Sequence, residues 1–413
     1  MKKALLIGCF IAISLLILKS PQVSAQEGRI QIGKLKVVPS ITMQGVHDDN
    51  IYLGNGTNNT DEIKESDWIT HLQPALLLDY DLNGRGSLKL GYQGDWAYYG
   101  ENDNNNWNNQ NGLFNLDYKA PGGLILAFND RYSDAEDPYG SLNEYGLGQP
   151  QTVRWSNDLK TKIGYEFSNR FRMFAYYNTF TQDYEELKDF TQDYYEHEYG
   201  IGAEIRLLPK TWGFTRYHYG SRNYFTHPAG SGSTKANDSD FDWHRVNAGL
   251  TWDIGAKLQG ELNFGYQWRN YDNSRDAFGN RYEDENTWIA GTSLNYSATA
   301  TTTLSCSITR GLIESASDTN EYNETTGFGL TLQQILYTKF TLGAGVNYSI
   351  NDYNLPINNP REDDNYRFNL DLLYRIQTWL NAGVGYSYNR KDSNDMTNDY
   401  TGNQFTISIR GVY

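Results

Sequence analysis

From Lys34 onward this chain repeats a unit of roughly 40 residues: an alternating segment, a very short turn, a second alternating segment and a long hydrophilic connection. The short turns fall at Asp81-Leu82-Asn83-Gly84, Pro121-Gly122-Gly123, Ser168-Asn169-Arg170, Leu208-Pro209-Lys210, Gly255-Ala256-Lys257, Thr299-Ala300-Thr301, Tyr337-Thr338 and Gln377-Thr378. Asn83-Gly84 is a strong hairpin signal, because both residues tolerate positive φ. Between these turns lie loops such as 133–151, 225–240, 272–286 and 354–364. Short and long connections that alternate along the whole chain require antiparallel neighbours, with every tight turn at one end of the sheet and every long loop at the other. About eighteen such strands follow, and an even count is what a closed single-chain barrel demands.

The segments themselves have the period of a β-strand. Phe340, Leu342, Ala344, Val346, Tyr348 and Ile350 share one face, and Thr341, Gly343, Gly345, Asn347 and Ser349 share the other. Leu258, Leu262, Phe264, Tyr266 and Trp268 stand against Gln259, Glu261, Asn263 and Gln267, and Phe368, Leu370, Leu372, Tyr374 and Ile376 against Arg367, Asn369, Asp371 and Arg375. The last strand sets Phe405, Ile407, Ile409 and Tyr413 against Thr406, Ser408 and Arg410. A terminal aromatic after such alternation resembles the signal read by the outer-membrane barrel-assembly machinery. A soluble sandwich would alternate too, with its apolar face inward. The unbroken series, the turn and loop asymmetry and aromatics near strand ends (Trp96, Tyr98, Tyr99, Trp212, Trp252, Trp379) favour a transmembrane antiparallel up-and-down barrel, apolar face to lipid. The 33 Tyr, 10 Trp and 39 Gly suit aromatic girdles and close-packed strands.

Met1-Lys2-Lys3, an apolar run to Leu18 and Val23-Ser24-Ala25 form a cleaved secretory signal over residues 1–25, which leaves 26–413 as the barrel. Beyond it, no stretch reaches the ~18 apolar residues of a membrane helix. Cys306 would then have no intramolecular partner and reads as a small apolar strand residue. The net charge of -15 argues against nucleic acid as a partner.

The charged residues on the polar faces are the candidate lumen lining: Lys89, Asp95, Lys160, Lys162, Glu166, Arg172, Glu204, Arg206, Arg245, Asp253, Glu261, Arg269, Arg367, Asp371 and Arg375. Facing lipid at the midplane they would cost about 2–4 kcal/mol each. Their mixed signs point to a hydrophilic pore without strong ion selectivity, or to salt-bridge ladders that hold the wall. The six histidines show no metal-ligand spacing, no serine is marked by a base, and no phosphate-binding glycine loop is present. No cofactor and no catalysis are expected. Asp48-Asp49-Asn50, Glu101 to Asn106 and Glu362-Asp363-Asp364 offer oxygen ligands without a defined calcium spacing and read as solvated loops. Trp107, Tyr139, Tyr145 and Tyr224 are candidate exposed loop aromatics for sugar contact.

Asp48-Asp49-Asn50-Ile51-Tyr52, Trp68 to Leu76 with Pro74, and Leu88-Lys89-Leu90-Gly91-Tyr92 resemble the first hairpins of the family called putative beta-barrel porin 2. The resemblance implies an outer-membrane pore associated with exopolysaccharide export, beside a periplasmic polysaccharide-export protein that has no membrane-spanning part of its own. General or solute-specific uptake, and a non-conducting structural or adhesive barrel, are the other functions this architecture admits. Closure would pair Tyr400–Tyr413 with Lys34–His47, and Pro39 predicts an irregularity in that seam because it lacks a ladder donor.

Overall fold

The computed structural model describes residues 30–56, 64–136, 153–185, 193–225, 240–252, 257–273, 284–314, 322–353 and 361–413. Residues 1–25, expected to be a secretory leader, lie outside them. A short β1 (Ile30–Ile32) precedes eighteen long strands: β2 (Leu35–Asp48), β3 (Asp67–Asp81), β4 (Gly86–Tyr99), β5 (Trp107–Lys119), β6 (Leu124–Glu136), β7 (Val153–Ser168), β8 (Phe171–Tyr184), β9 (Tyr194–Leu208), β10 (Thr211–Tyr224), β11 (Phe241–Trp252), β12 (Leu258–Tyr271), β13 (Glu285–Ser297), β14 (Thr302–Glu314), β15 (Tyr322–Leu336), β16 (Phe340–Tyr353), β17 (Glu362–Gln377), β18 (Leu380–Ser393) and β19 (Tyr400–Val412). Each pairs antiparallel with its neighbours in sequence, and β19 pairs with β2, from Gln404↔Asp48 to Val412↔Ser40. The sheet therefore closes with no free edge, which is what lipid demands of a β-structure. β1 was not foreseen; it folds back on the start of β2, Ile30 opposite Val37.

The predicted irregularity at Pro39 is not found. Pairing of β2 with β19 runs without a register shift to Ser40, and the next bond is Tyr413 N–H to the Pro39 carbonyl at 3.0 Å. A strand residue's N and C=O point to the same side, so the missing donor falls opposite Tyr413, where the ladder ends anyway. The strands that flank the eight short turns pair as expected, and Asn83 and Gly84 take φ of 61° and 70°; residues 253–256 of the fifth turn lie outside the described residues. That is the left-handed pair a tight hairpin with the right-handed twist of its strands requires.

Side chains obey the alternation. Ile41, Met43, Leu90, Ile163, Ile201, Phe264, Phe328, Val346, Phe368, Ile407 and Ile409 are exposed on the outer face, each opposite another outer residue on the neighbouring strand. Tyr98, Tyr132, Tyr199, Tyr217, Trp268 and Trp288 are exposed toward the long-loop end, and Tyr80, Tyr165, Phe167 and Phe171 toward the short-turn end. These are two aromatic girdles around an apolar band, the profile of a wall bathed in lipid. Two of the six expected girdle residues belong elsewhere. Tyr99 and Trp212 take the inner parity and are buried, Trp212 completely.

Candidate functional site

The inner face is the candidate site. Register places Lys89, Asp95, Lys160, Lys162, Glu166, Arg172, Glu204, Arg206, Arg245, Glu261, Arg269, Arg367, Asp371 and Arg375 on the face opposite the apolar band. Asp253 lies outside the described residues. Most are knitted into the wall. Asp95 accepts from Gln73 at 2.9 Å and stands 3.0 Å from His71 Nδ1. Lys160 pairs with Asp158 at 2.7 Å, Glu166 with Lys119 at 2.7 Å, and Arg367 donates to Asn389 at 2.5 Å. Arg375 donates to the Thr338 carbonyl. Asp371 sits between two glycines, Gly343 on β16 and Gly385 on β18, which leave its side chain uncrowded.

The densest constellation lies on β7 to β12. Glu204, 2% exposed, is shared by three cations: Arg172 at 2.6 Å, Arg216 at 3.5 Å and Lys162 at 3.9 Å. Arg216 also clamps Glu261 with both terminal nitrogens, at 2.9 and 2.8 Å. Aromatic faces hold the same cations. Arg172 and Arg206 lie 3.8 and 4.5 Å from the ring centre of Trp212, Arg216 3.9 Å from Phe214 and Lys162 3.8 Å from Phe174. Further along the barrel axis the motif recurs: Arg245 over Trp243, Arg222 over Tyr194, Arg269 over Phe241. Arg222 pairs with Glu196, whereas Arg245 donates to the neutral Gln267 at 2.9 Å. A guanidinium is planar and weakly hydrated, so stacking on a ring fixes it at little cost and leaves its edge donors directed along the wall. Arg216, Phe174 and Phe214 complete this cluster but were not singled out from sequence, and Trp212 was expected in a girdle instead. The signal was present, since aromatic and basic residues alternate on the polar parity of β8 and β10.

The long-loop rim is knotted at Asp48-Asp49-Asn50 and at Asp363, which corrects the expectation of solvated loops there, whereas Glu101, Asp103, Asn104, Asn106 and Glu362 are exposed as expected. Asn50, with no exposed surface, donates to the carbonyls of Gly54 and Thr401 at 2.9 Å each and accepts from Gly54 N–H. Asp49 accepts both the backbone and side-chain N–H of Asn403, and Asp48 accepts from Gln404. The Asp-Asp-Asn motif thus ties the first loop to the closing strand. Asp67 gathers N–H donors from Trp68, Gly100, Glu101 and Asn102. Asp363, also fully buried, is held by Arg361 at 2.8 and 2.5 Å, by Ser393 at 2.6 Å and by Lys391 at 3.8 Å. Burial opposes the charge on Arg361, but the Asp363 carboxylate outweighs it and holds the guanidinium above its usual range. The aromatics expected on exposed loops are placed differently. Tyr224 is the last residue of β10 and is buried against Tyr194, Phe241 and Trp243, and Trp107 opens β5 on the inner parity with its ring 5.5 Å from His71. Tyr139 and Tyr145 lie outside the described residues.

A closed eighteen-strand antiparallel sheet, apolar outside, girdled at both ends and polar inside, matches one family model. Residues 26–413 match Putative beta-barrel porin 2. The chain belongs to this family. It is a porin-type β-barrel that spans the outer membrane many times. Among solved structures, OccAB4 of Acinetobacter baumannii is similar at 10% identity and a TM-score of 0.44, over 94% of this chain and 100% of that one. OpdL of Pseudomonas aeruginosa is similar at 10% identity and 0.46, over 92% and 99%. No curated protein sequence matches.

Proposed function

We propose that this porin-family barrel is a passive aqueous conduit across the outer membrane, serving export of an exopolysaccharide together with a periplasmic polysaccharide-export protein. What carries the reading is the inner face. Every strand presents Ser, Thr, Asn, Gln, Gly or charged side chains inward, beside the ring-stacked aromatics of β8 to β11, so a hydrated chain finds hydrogen-bond partners along the path. An interior built only for packing would be filled with apolar side chains, as in small barrels. Energy has to come from elsewhere, because the sequence has no nucleotide-binding loop. Residues 1–25 are read as the secretory leader and the barrel-assembly machinery as the partner during insertion. The wall residues named above line the path in this reading, with surrounding lipid as the permanent contact.

Purified barrel in planar bilayers is expected to give large stable conductance. A deletion strain should lose surface polysaccharide while nutrient permeability stays unchanged. Lost nutrient permeability with polysaccharide intact would instead establish an uptake porin. A silent barrel would leave a structural or adhesive role.

A further inference from the structure

We infer that the transported or bound saccharide is acidic, and that the β7–β12 inner wall is its binding track with Arg206 as the carboxylate subsite. This rests on the conduit reading for what passes, though not for the binding itself. Lys162, Arg172, Arg206 and Arg216 form described ion pairs with only two carboxylates, Glu204 and Glu261; Glu166, opposite Arg172 in register, is taken by a further cation, Lys119, at 2.7 Å. Glu204 is already oversubscribed by three of the four cations. A wall built for stability alone would balance its charges, because a fixed surplus of cations repels itself without return. Here the surplus is held in place by rings, in a chain whose overall charge is -15.

Arg206 is the open member. The residue is half-buried and stacked on Trp212 across from Arg172; its Nε is buried in the wall, while no described hydrogen bond or ion pair holds its two terminal nitrogens. No described carboxylate forms an ion pair with it. A planar fork with free donors, pre-oriented by stacking, is the geometry that binds a carboxylate through two parallel bonds. Arg206 lies two residues before the end of β9, and Trp212 is the second residue of β10, so the subsite stands at the short-turn end. In a single-chain barrel that end faces the periplasm, where an exported polymer enters. Further along the axis, Arg245 offers a second cation, which donates to the neutral Gln267 and lies in the field of the Glu198 carboxylate. Further round the ring, the inner faces of β14, β15 and β16 carry no charged residue: Ser305, Ser307, Thr309, Thr331, Asn347 and Ser349 represent them. Hydroxyls and amides there can serve sugar hydroxyls without repelling an anion.

The test uses the full chain folded in detergent and in planar bilayers, with trigalacturonate and maltotriose as probes. Titration followed by tryptophan fluorescence should show binding of trigalacturonate and not of maltotriose. Arg206→Gln should weaken that binding about tenfold, as loss of a charge-assisted pair implies. Arg390→Gln should leave it unchanged, since it removes an equal charge from the exposed outer side of β18 at the other end, where Arg390 pairs with Asp392. In bilayers the barrel should be anion-selective by reversal potential, and trigalacturonate should block it reversibly. A barrel that conducts but prefers cations, or binds both trisaccharides equally, overturns the inference and leaves the conduit standing. A silent barrel that binds trigalacturonate through Arg206 sinks the conduit and keeps the acidic-saccharide site. One that neither conducts nor binds sinks both.

Discussion

Glu204 shows how an inner-wall charge can hold a barrel together. With 2% of its surface exposed and three cations around it, it is the counter-ion of a cluster whose members sit on four different strands, β7, β8, β9 and β10. Removing one partner of a buried ion pair is expensive because it strands the charges that remain. Glu204→Gln should therefore lower unfolding stability by about 3 kcal/mol in urea titrations of the folded barrel. Adding Arg172→Met, which removes one stranded charge, should recover part of the loss. A neutral Glu204→Gln would mean that water, and not Glu204, screens these cations. The sequence showed the charges and their parity, so their face was legible. It did not show that Trp212 would be sandwiched rather than placed in a girdle, because parity at a strand end is fixed by the turn, and β9 and β10 shift register at Thr211/Trp212.

At the scale of the strand, one device recurs at the long-loop end. The residue immediately before a descending strand accepts the N–H of the last residue of the ascending one. Asn106 does so for Tyr99, Asp193 for Tyr184, Asp240 for Tyr224, Asp284 for Tyr271 and Asp399 for Ser393. Strand ends leave unpaired donors as helix ends do, and a short acidic or amide side chain can satisfy them locally. Asp240→Ala should cost about 1–2 kcal/mol and raise protease nicking of the neighbouring loop, while Asp240→Asn should keep most of the stability because the bond needs only a carbonyl oxygen. Equal behaviour of the two would reduce the device to coincidence. The faces of the strands give a second test. Ile407 is 48% exposed on the outer face of β19, and Ser408 beside it points inward. Ile407→Arg should destabilise the barrel by about 2–4 kcal/mol in lipid, whereas Ser408→Arg should be nearly neutral. The alternation that separates them was readable directly. The end caps were not, since a loop aspartate looks the same in sequence whether it is solvated or closes a ladder.

For the molecule as a whole, stability is a property of the ring, because each strand contacts chiefly its neighbours and the described residues form only two small buried hydrophobic clusters. The contact that makes the ring is also the one with the greatest separation in sequence, β2 with β19, and it must form last or be templated by other machinery. Its upper end is locked by Asp48, Asp49 and Asn50 against Thr401, Asn403 and Gln404. The family-like motif at the first loop is thus part of the closure. Gln44 and Ser408 face each other in this seam. Counting in alternate steps from the Tyr413 to Pro39 bond makes them a non-hydrogen-bonded pair, the kind whose side chains come closest. Gln44→Cys with Ser408→Cys should form a disulfide in the folded barrel under mild oxidation. Cys306, on the outer parity of β14, lies far round the ring and should not compete. After denaturation without reductant, the linked chain, closed over almost its whole length, should migrate faster than the open one and revert on reduction. Failure to link in the folded protein, with both thiols reactive to a small reagent, would mean that the seam is open and that the barrel's polar interior is accessible from its side.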